Sequence, residues 1–340
     1  MKKLAILGAG SWGLTLSWLA SGNEAGNIPK QVCLWDRSSE KITALKKNRT
    51  VSFPVSLTLP DALTLTTNLS EAVADADVIV LVVTVSGTQP VLEKIHADCS
   101  ISKNTILVNA SKGIAFPSLK RLSEIIHEVF PDNPCAVLSG PTLAREILAG
   151  LPTACSIACQ GPETASFLQS YLSHNLFRLY SNSDVVGVEL GGALKNIFAI
   201  ASGYMREKKL GDNAVAAMLT RGLSEMTRFS VSMGANPDTL YGMSGLGDLL
   251  ATANSPLSRN YQVGASLAKG EKLEDILSRL QMVAEGVKTT HAVYALSKSA
   301  GLETPIVDMV KHCLAEPLSD SMIIKNLMTR KLKAEGCGVK

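Results

Sequence analysis

Over its first half the chain alternates short aliphatic and β-branched runs with stretches of helical spacing. Apolar runs at residues 4–7, 31–35, 78–85, 105–109, 136–139, 153–159 and 177–180 predict strands. Between them, residues 11–21, 39–47, 89–95, 118–130 and 162–172 predict helices. The run from Val78 to Val85 is apolar at every position but Thr84. A strand covered by helices on both faces reads that way, because neither face meets water. Strand–helix alternation around such a run predicts a doubly wound parallel sheet. Beyond about Ser183 the texture changes, and helical patterns follow one another at 185–205, 213–233, 260–268, 273–280, 289–300 and 306–314. The polar cluster Ser181-Asn-Ser-Asp184 marks the boundary, giving a first domain over 1–183 and a second over 184–340.

Composition supports two globular domains: 340 residues, 46% hydrophobic and 19% charged, are too long for one ordinary core and too apolar for disorder. The net charge of +3, from 33 basic and 30 acidic residues, is scattered, with no basic run of the kind that tracks a nucleic-acid backbone. Seven cysteines form no CxxC pair, and most lie in apolar runs, so they read as buried free thiols of a reducing compartment. The start resembles a signal peptide, with Lys2-Lys3 before an apolar stretch. Gly8, Gly10 and Gly13 break that stretch into a strand and a helix, so it reads as mature structure. No other segment reaches the roughly 18 uninterrupted apolar residues of a membrane span.

Gly8-Ala9-Gly10-Ser11-Trp12-Gly13 fits GxGxxG between a predicted strand and a predicted helix. The glycines permit a tight turn and let backbone approach a pyrophosphate, whose charge meets the free amides opening the helix. The motif alone is a weak signal; its strand–turn–helix–strand setting makes it a dinucleotide site. The fold class is therefore α/β, an N-terminal Rossmann-type doubly wound parallel sheet followed by an all-α C-terminal domain. Asp36 and Arg37, at the end of the second strand, stand where an adenine ribose is read. An acidic residue there accepts the 2′-hydroxyl of NAD and an Arg pairs with the 2′-phosphate of NADP, so both cofactors stay open. A polar insert at residues 22–29 lengthens the preceding loop.

Lys195 sits in a helical pattern that is apolar almost all round, with Gly191, Gly192, Phe198 and Ala199 at the neighbouring positions of its own helix. An unpaired buried ammonium is costly, so Lys195 must snorkel, find a tertiary partner or line an anion-binding cleft. Desolvation would also lower its pKa toward neutrality, which suits proton transfer. Lys112 follows a strand at the sheet edge where α/β proteins bind ligands. Residues 244–248 read as a flexible loop ending in Asp248, and Ser258-Arg259-Asn260 precedes a helix, offering donors and a guanidinium to a phosphate. Glu285-Gly286 is a similar cluster, and each of these motifs could equally be a cap or a surface turn. The five histidines are isolated and no nucleophile elbow occurs, so no metal site and no hydrolase chemistry are predicted.

From Lys3 to Pro317 the chain resembles the bacterial-type NAD(P)-dependent glycerol-3-phosphate dehydrogenases. The resemblance rests on ordered motifs: the glycine turn, Ser111-Lys-Gly113, Ser139-Gly-Pro-Thr142, Val188-Glu-Leu-Gly-Gly-Ala-Leu-Lys-Asn196, Ser244-Gly-Leu-Gly-Asp248, Ser255-Pro-Leu-Ser-Arg-Asn260 and Ala284-Glu-Gly286. It implies NAD or NADP contacts at Gly8, Gly10, Ser11, Trp12, Gly13, Asp36, Arg37, Lys112, Ala144, Arg259, Val283 and Glu285. It implies substrate contacts at Lys112, Gly140, Thr142, Lys195, Asp248, Ser258, Arg259 and Asn260, with Lys195 as the proton donor and acceptor. The implied reaction interconverts dihydroxyacetone phosphate and glycerol 3-phosphate, supplying phospholipid synthesis in the cytoplasm, from a chain that is a possible homodimer. The insert, the charged segment 205–209 and Val85 in place of a common proline depart from the family pattern. The alternatives weighed are a related two-domain dehydrogenase of β-hydroxyacids or sugar acids, and a catalytically silent NAD(P)-sensing regulator.

Overall fold

The computed structural model describes residues 2–22, 30–51, 56–280 and 284–316. Most of the insert and Val283 lie outside the described residues.

Its α/β part opens with β1 (Lys2–Leu7), α1 (Ser11–Ser21), β2 (Lys30–Trp35) and α2 (Ser39–Asn48). A small antiparallel hairpin, β3 (Thr50–Val51) and β4 (Leu57–Thr58), precedes β5 (Thr64–Thr66) and α3 (Leu69–Val73). The pattern continues through β6 (Val78–Leu81), α4 (Val85–Asp98), β7 (Ile106–Asn109), α5 (Leu122–Val129), β8 (Cys135–Ser139) and α6 (Ala144–Leu148). It ends in β9 (Thr153–Cys159), α7 (Pro162–Leu172) and β10 (Phe177–Asn182). Eight strands form one sheet in the order β10-β9-β8-β7-β6-β1-β2-β5. Every neighbouring pair is parallel except β8–β9, so the last two strands run against the other six. The interior strands β1, β6 and β7 are aliphatic on both faces and bury Leu4–Leu7, Val78–Leu81 and Leu107–Val108, as expected of a sheet sandwiched by helices.

Two predictions shift at their ends. The apolar run expected as a strand to Val85 leaves the sheet after Leu81, and Val85 instead opens α4 behind Thr84. The helix expected from 118 begins at Leu122, because Leu119 takes a left-handed φ of 61° that a helix does not use.

The remaining helices are α8 (Val185–Glu207), α9 (Asp212–Ser232), α10 (Asp248–Ala253), α11 (Arg259–Ala268), α12 (Leu273–Leu280), α13 (Glu285–Ser299) and α14 (Pro305–Ala315). Helix α8 is long and apolar enough to cross a membrane by composition, but 83% of its apolar window is buried in protein, the mark of a core helix. By packing, one unit comprises residues 1–111 and 121–188, and the other comprises Lys112–Lys120 with everything from Glu189 onward. The short segment after β7 thus belongs with the helices.

Candidate active site

In the α/β unit the glycine motif makes a close-packed turn between β1 and α1. A Cβ on Gly13 would stand 1.8 Å from the Gly8 carbonyl oxygen, and one on Gly8 would stand 2.6 Å from that of Val82, whereas Gly10 faces open space. The turn therefore has a crowded inner side and an accessible outer one, the cradle a pyrophosphate needs. The indole N–H of Trp12 is buried without a partner, while its ring packs edge-on against Phe177. An orphaned donor at the start of α1 fits a site for a polar ligand. These observations fit NAD or NADP, and Gly8, Gly10, Ser11, Trp12 and Gly13 are the residues of this turn that could hold it.

Asp36 closes the turn from the end of β2. Its Oδ2 accepts the Ala9 N–H at 2.9 Å and the Lys41 ammonium at 3.0 Å, and its Oδ1 accepts the Ser38 N–H at 2.9 Å. Burial pushes this carboxyl up, but those three donors outweigh it and hold it below the usual carboxylate range. Arg37, beside it, is exposed. Gly140, Thr142 and Ala144 follow β8 at the carboxyl edge of its parallel neighbours, where ligands of α/β sheets bind. The Thr142 hydroxyl donates to the Gly140 carbonyl at 3.1 Å.

In the helical unit the structure brings together two lysines 83 residues apart in sequence. Lys195, 7% exposed, donates from Nζ to Asp248 Oδ1 at 2.7 Å and to Thr252 Oγ1 at 2.6 Å. Lys112 donates to the other carboxylate oxygen, Asp248 Oδ2, at 2.6 Å. Asp248 is 1% exposed, and Thr252, one turn along α10, donates back to it at 3.3 Å. A single carboxylate thus carries two ammonium groups. Burial pulls Lys195 down to about 8, with Asp248 opposing that fall and Lys112 adding to it. Of the three fates open to Lys195, the structure selects a tertiary partner.

The segment expected as a flexible loop is neither flexible in form nor a loop. Residues Met243–Gly247 make a π-helical turn that runs directly into α10, so Asp248 starts a helix. Such turns are rare and frequently accompany functional sites. Its tightness depends on α8, where Gly191 lies against the Ser244 carbonyl.

Around this cluster, the Ser258 hydroxyl caps α11 by accepting the Tyr261 N–H at 3.3 Å. Asn260 is engaged at both ends of its carboxamide: it donates to Asn196 Oδ1 at 2.8 Å and accepts the Gly286 N–H at 3.1 Å. It thereby ties α8, α11 and α13 together beside Lys195. Arg259, exposed at the first turn of α11, feels the Glu285 carboxylate, which opens α13. Sequence reasoning missed Thr252 and Asn196. The first is four residues after Asp248 and the second adjoins Lys195, so helical spacing was the available signal. Among the described residues no cluster of metal-ligating side chains occurs.

Comparison with known proteins agrees with this layout. Residues 3–165 match the family described as NAD-dependent glycerol-3-phosphate dehydrogenase N-terminus, and residues 184–325 match its C-terminus. A glycerol-3-phosphate dehydrogenase (NAD(P)+) of Syntrophotalea carbinolica is 43% identical over 336 residues, covering 98% of this chain and 99% of the relative. A crystal structure of glycerol-3-phosphate dehydrogenase from Coxiella burnetii superposes with a TM-score of 0.88 at 33% identity, over 97% of this chain and 99% of that one. A D-mandelate dehydrogenase with NADH shares only the fold, with a TM-score of 0.60 at 15% identity over 92% of this chain and 97% of that one. The chain belongs to the NAD-dependent glycerol-3-phosphate dehydrogenase family.

Proposed function

We propose that this chain interconverts dihydroxyacetone phosphate and sn-glycerol 3-phosphate with NAD(P)H or NAD(P)+, and that Lys195 moves the proton. The observation that carries the reading is the buried Lys195–Asp248–Lys112 cluster, which presents two ammonium groups held by one carboxylate. A bound nicotinamide supplies the hydride that reduces the ketone carbon.

In reduction, the Lys195 ammonium hydrogen-bonds the ketone oxygen as negative charge builds on it and then gives up its proton. Its fall to about 8 makes that proton available near neutral pH, where an ordinary lysine holds it too tightly. Asp248 fixes where Nζ points, and Thr252 supplies a second anchor. Lys112 adds positive charge on the substrate side. Arg259, with the first turn of α11 behind Ser258, binds the phosphate, so that binding energy remote from the carbonyl orients the reacting carbon. Asn260 holds that helix against Asn196 next to Lys195. Gly140, Thr142 and Ala144 complete the contacts that the family resemblance assigns. The same resemblance supports a cytoplasmic enzyme and a homodimer; sedimentation of the purified chain tests the latter.

The test is the absorbance of NADH or NADPH at 340 nm with dihydroxyacetone phosphate and, separately, with dihydroxyacetone. The phosphate ester should be reduced efficiently and the unphosphorylated ketone very poorly. Comparable rates for both would remove the phosphate site and the assignment with it.

A further inference from the structure

Lys195 has the surroundings of a proton donor, and they are also those of a nucleophile. Its Nζ donates to Asp248 Oδ1 at 2.7 Å and to Thr252 Oγ1 at 2.6 Å. The Thr252 hydroxyl turns its own hydrogen toward Asp248 Oδ1 at 3.3 Å, so its oxygen stays an acceptor for Nζ. Both contacts survive loss of a proton, because a neutral amine still has two N–H bonds to give. The third position on nitrogen is then a lone pair, and the two fixed bonds set its direction. A lysine becomes a nucleophile when it is desolvated or placed beside another cation. Lys195 meets both conditions: it is 7% exposed, and Lys112 sits on the other oxygen of the same carboxylate at 2.6 Å. Burial brings it down to about 8, with Asp248 opposing that fall and Lys112 adding to it, so near pH 8 about half of the molecules carry the amine. An ordinary lysine at that pH is amine in less than about 1% of molecules.

We infer that, when no reduced nicotinamide is present, Lys195 condenses with the C2 carbonyl of dihydroxyacetone phosphate to an iminium, a reversible covalent side state of the site. This goes beyond the proposed reduction and rests on its placement of the ketone beside Nζ. The Nζ lone pair forms a bond to C2 while the C=O π pair moves to oxygen. A proton on that nitrogen passes to the oxygen, giving a carbinolamine. Its hydroxyl takes up the proton that the ammonium released earlier and leaves as water, as the nitrogen lone pair closes the C=N bond. One ammonium and one ketone thus become one iminium and one water, with one positive charge on each side and nothing oxidised or reduced. The single N–H left on the iminium keeps Asp248 Oδ1 as its acceptor, so the new cation meets the counter-charge the ammonium had. Phosphate binding at Ser258 and Arg259, already part of the reduction, holds the ketone against Nζ and raises its effective concentration.

The experiment incubates the full chain, with no nicotinamide added, with dihydroxyacetone phosphate and sodium cyanoborohydride near pH 8, where the amine is plentiful. Labelled peptides are mapped by mass spectrometry. Reduction of the iminium leaves Lys195 heavier by one dihydroxyacetone phosphate less one oxygen atom. Lys195 should label at least about tenfold faster than any other lysine, a margin its larger amine fraction supports. Glycerol 3-phosphate should suppress the label on Lys195 and leave that on surface lysines unchanged. Dihydroxyacetone should label Lys195 at least about tenfold more slowly than its phosphate, since nothing then holds the ketone in place. A wild type that reduces dihydroxyacetone phosphate with NADH or NADPH but gains no label on Lys195, or labels Lys112 and surface lysines as readily, would overturn the inference and leave the reduction standing. A wild type that reduces nothing with either cofactor and takes no label loses the proposed function and this inference together.

Discussion

A Cβ added to Gly191 would stand 2.7 Å from the Ser244 carbonyl oxygen, one helical turn before Lys195 meets Asp248. Backbone contact at that point sets how α8 and the π-turn run alongside each other. Farther along, the Ser202 hydroxyl continues the match by donating to the Ala253 carbonyl at 2.7 Å. Gly191→Ala should push Met243–Gly247 outward and carry Asp248 with it. Because misplacing a catalytic group by about 1 Å can cost on the order of 10²-fold, kcat should drop 10- to 100-fold with a smaller change in KM. Lys195 would also lose part of its counter-charge, so the pH profile should move to lower pH. Unchanged kinetics and an unchanged profile would mean that Gly191 does not set the register.

The protonation state of Lys195 should divide the two directions of the reaction. Ketone reduction needs the ammonium, so kcat/KM for reduction should fall as pH rises through about 8. Alcohol oxidation needs the free amine and should rise over the same window. Lys195→Ala should lose about 10²–10⁴ in rate and flatten both limbs, the span typical of acid–base groups. A residual rate within about tenfold of wild type would remove Lys195 from the chemistry.

Asp248→Asn tests whether one carboxylate holds two ammonium groups. Removing its charge leaves Lys195 without compensation in a buried setting, and breaking a buried pair from one side costs about 3–5 kcal/mol. Urea denaturation at pH 7 should show a loss of that order. The loss should shrink as pH rises through about 8, because a neutral Lys195 no longer needs the partner. Asp248→Asn with wild-type stability at pH 7 would contradict the pairing.

Glu225 on α9 caps a helix it does not belong to: its Oε2 accepts the Ile306 N–H at 3.1 Å and its Oε1 the Val307 N–H at 2.9 Å, at the start of α14. Burial, with the residue 2% exposed, raises this carboxyl to about 7 against the pull of those amides and of Arg228, with Asp308 pushing the same way as burial. The unfolded chain ionises it near 4.5, so between pH 4.5 and 7 the native state binds the extra proton. Its contribution to stability should therefore fall as pH rises across that window and level off above it. Glu225→Ala should strand two amides, cost about 1–3 kcal/mol, and abolish this part of the pH dependence. Denaturation midpoints at pH 5 and pH 7.5 check both; an unchanged slope in the variant would refute the assignment.

What the sequence made legible was local. The glycine turn, the aliphatic strands and α8 declare themselves because neighbouring residues share one environment. The end of β6 does not, since Val82 and Val83 look like more strand while the chain is already leaving the sheet for α4. Residues 244–248 read as flexible because of their glycines; in the structure those glycines let backbones approach, and the segment is a tight turn. Lys195 announced that it needed a partner, but Asp248 lies 53 residues away and Lys112 on the far side of the chain, beyond the reach of any periodic pattern. Asp36 was legible in place but not in its bonds. Its position suggested a ribose, and its bonds to the amides of Ala9 and Ser38 and to the Lys41 ammonium come in addition, from a fold that no spacing spells out.

The membership of Lys112–Lys120 in the helical unit has a consequence for dissecting the gene. A fragment starting at Glu189 would lack a piece of its own packing and one of its two clustered ammonium groups, and a fragment ending at Val188 would carry that piece without its neighbours. The boundary drawn along the polypeptide and the boundary drawn through space are different lines. Co-expressed halves cut at 188 would have to reassemble before Asp248 could meet both lysines, so activity should depend on the concentration of the two fragments even though every covalent bond within each half is intact.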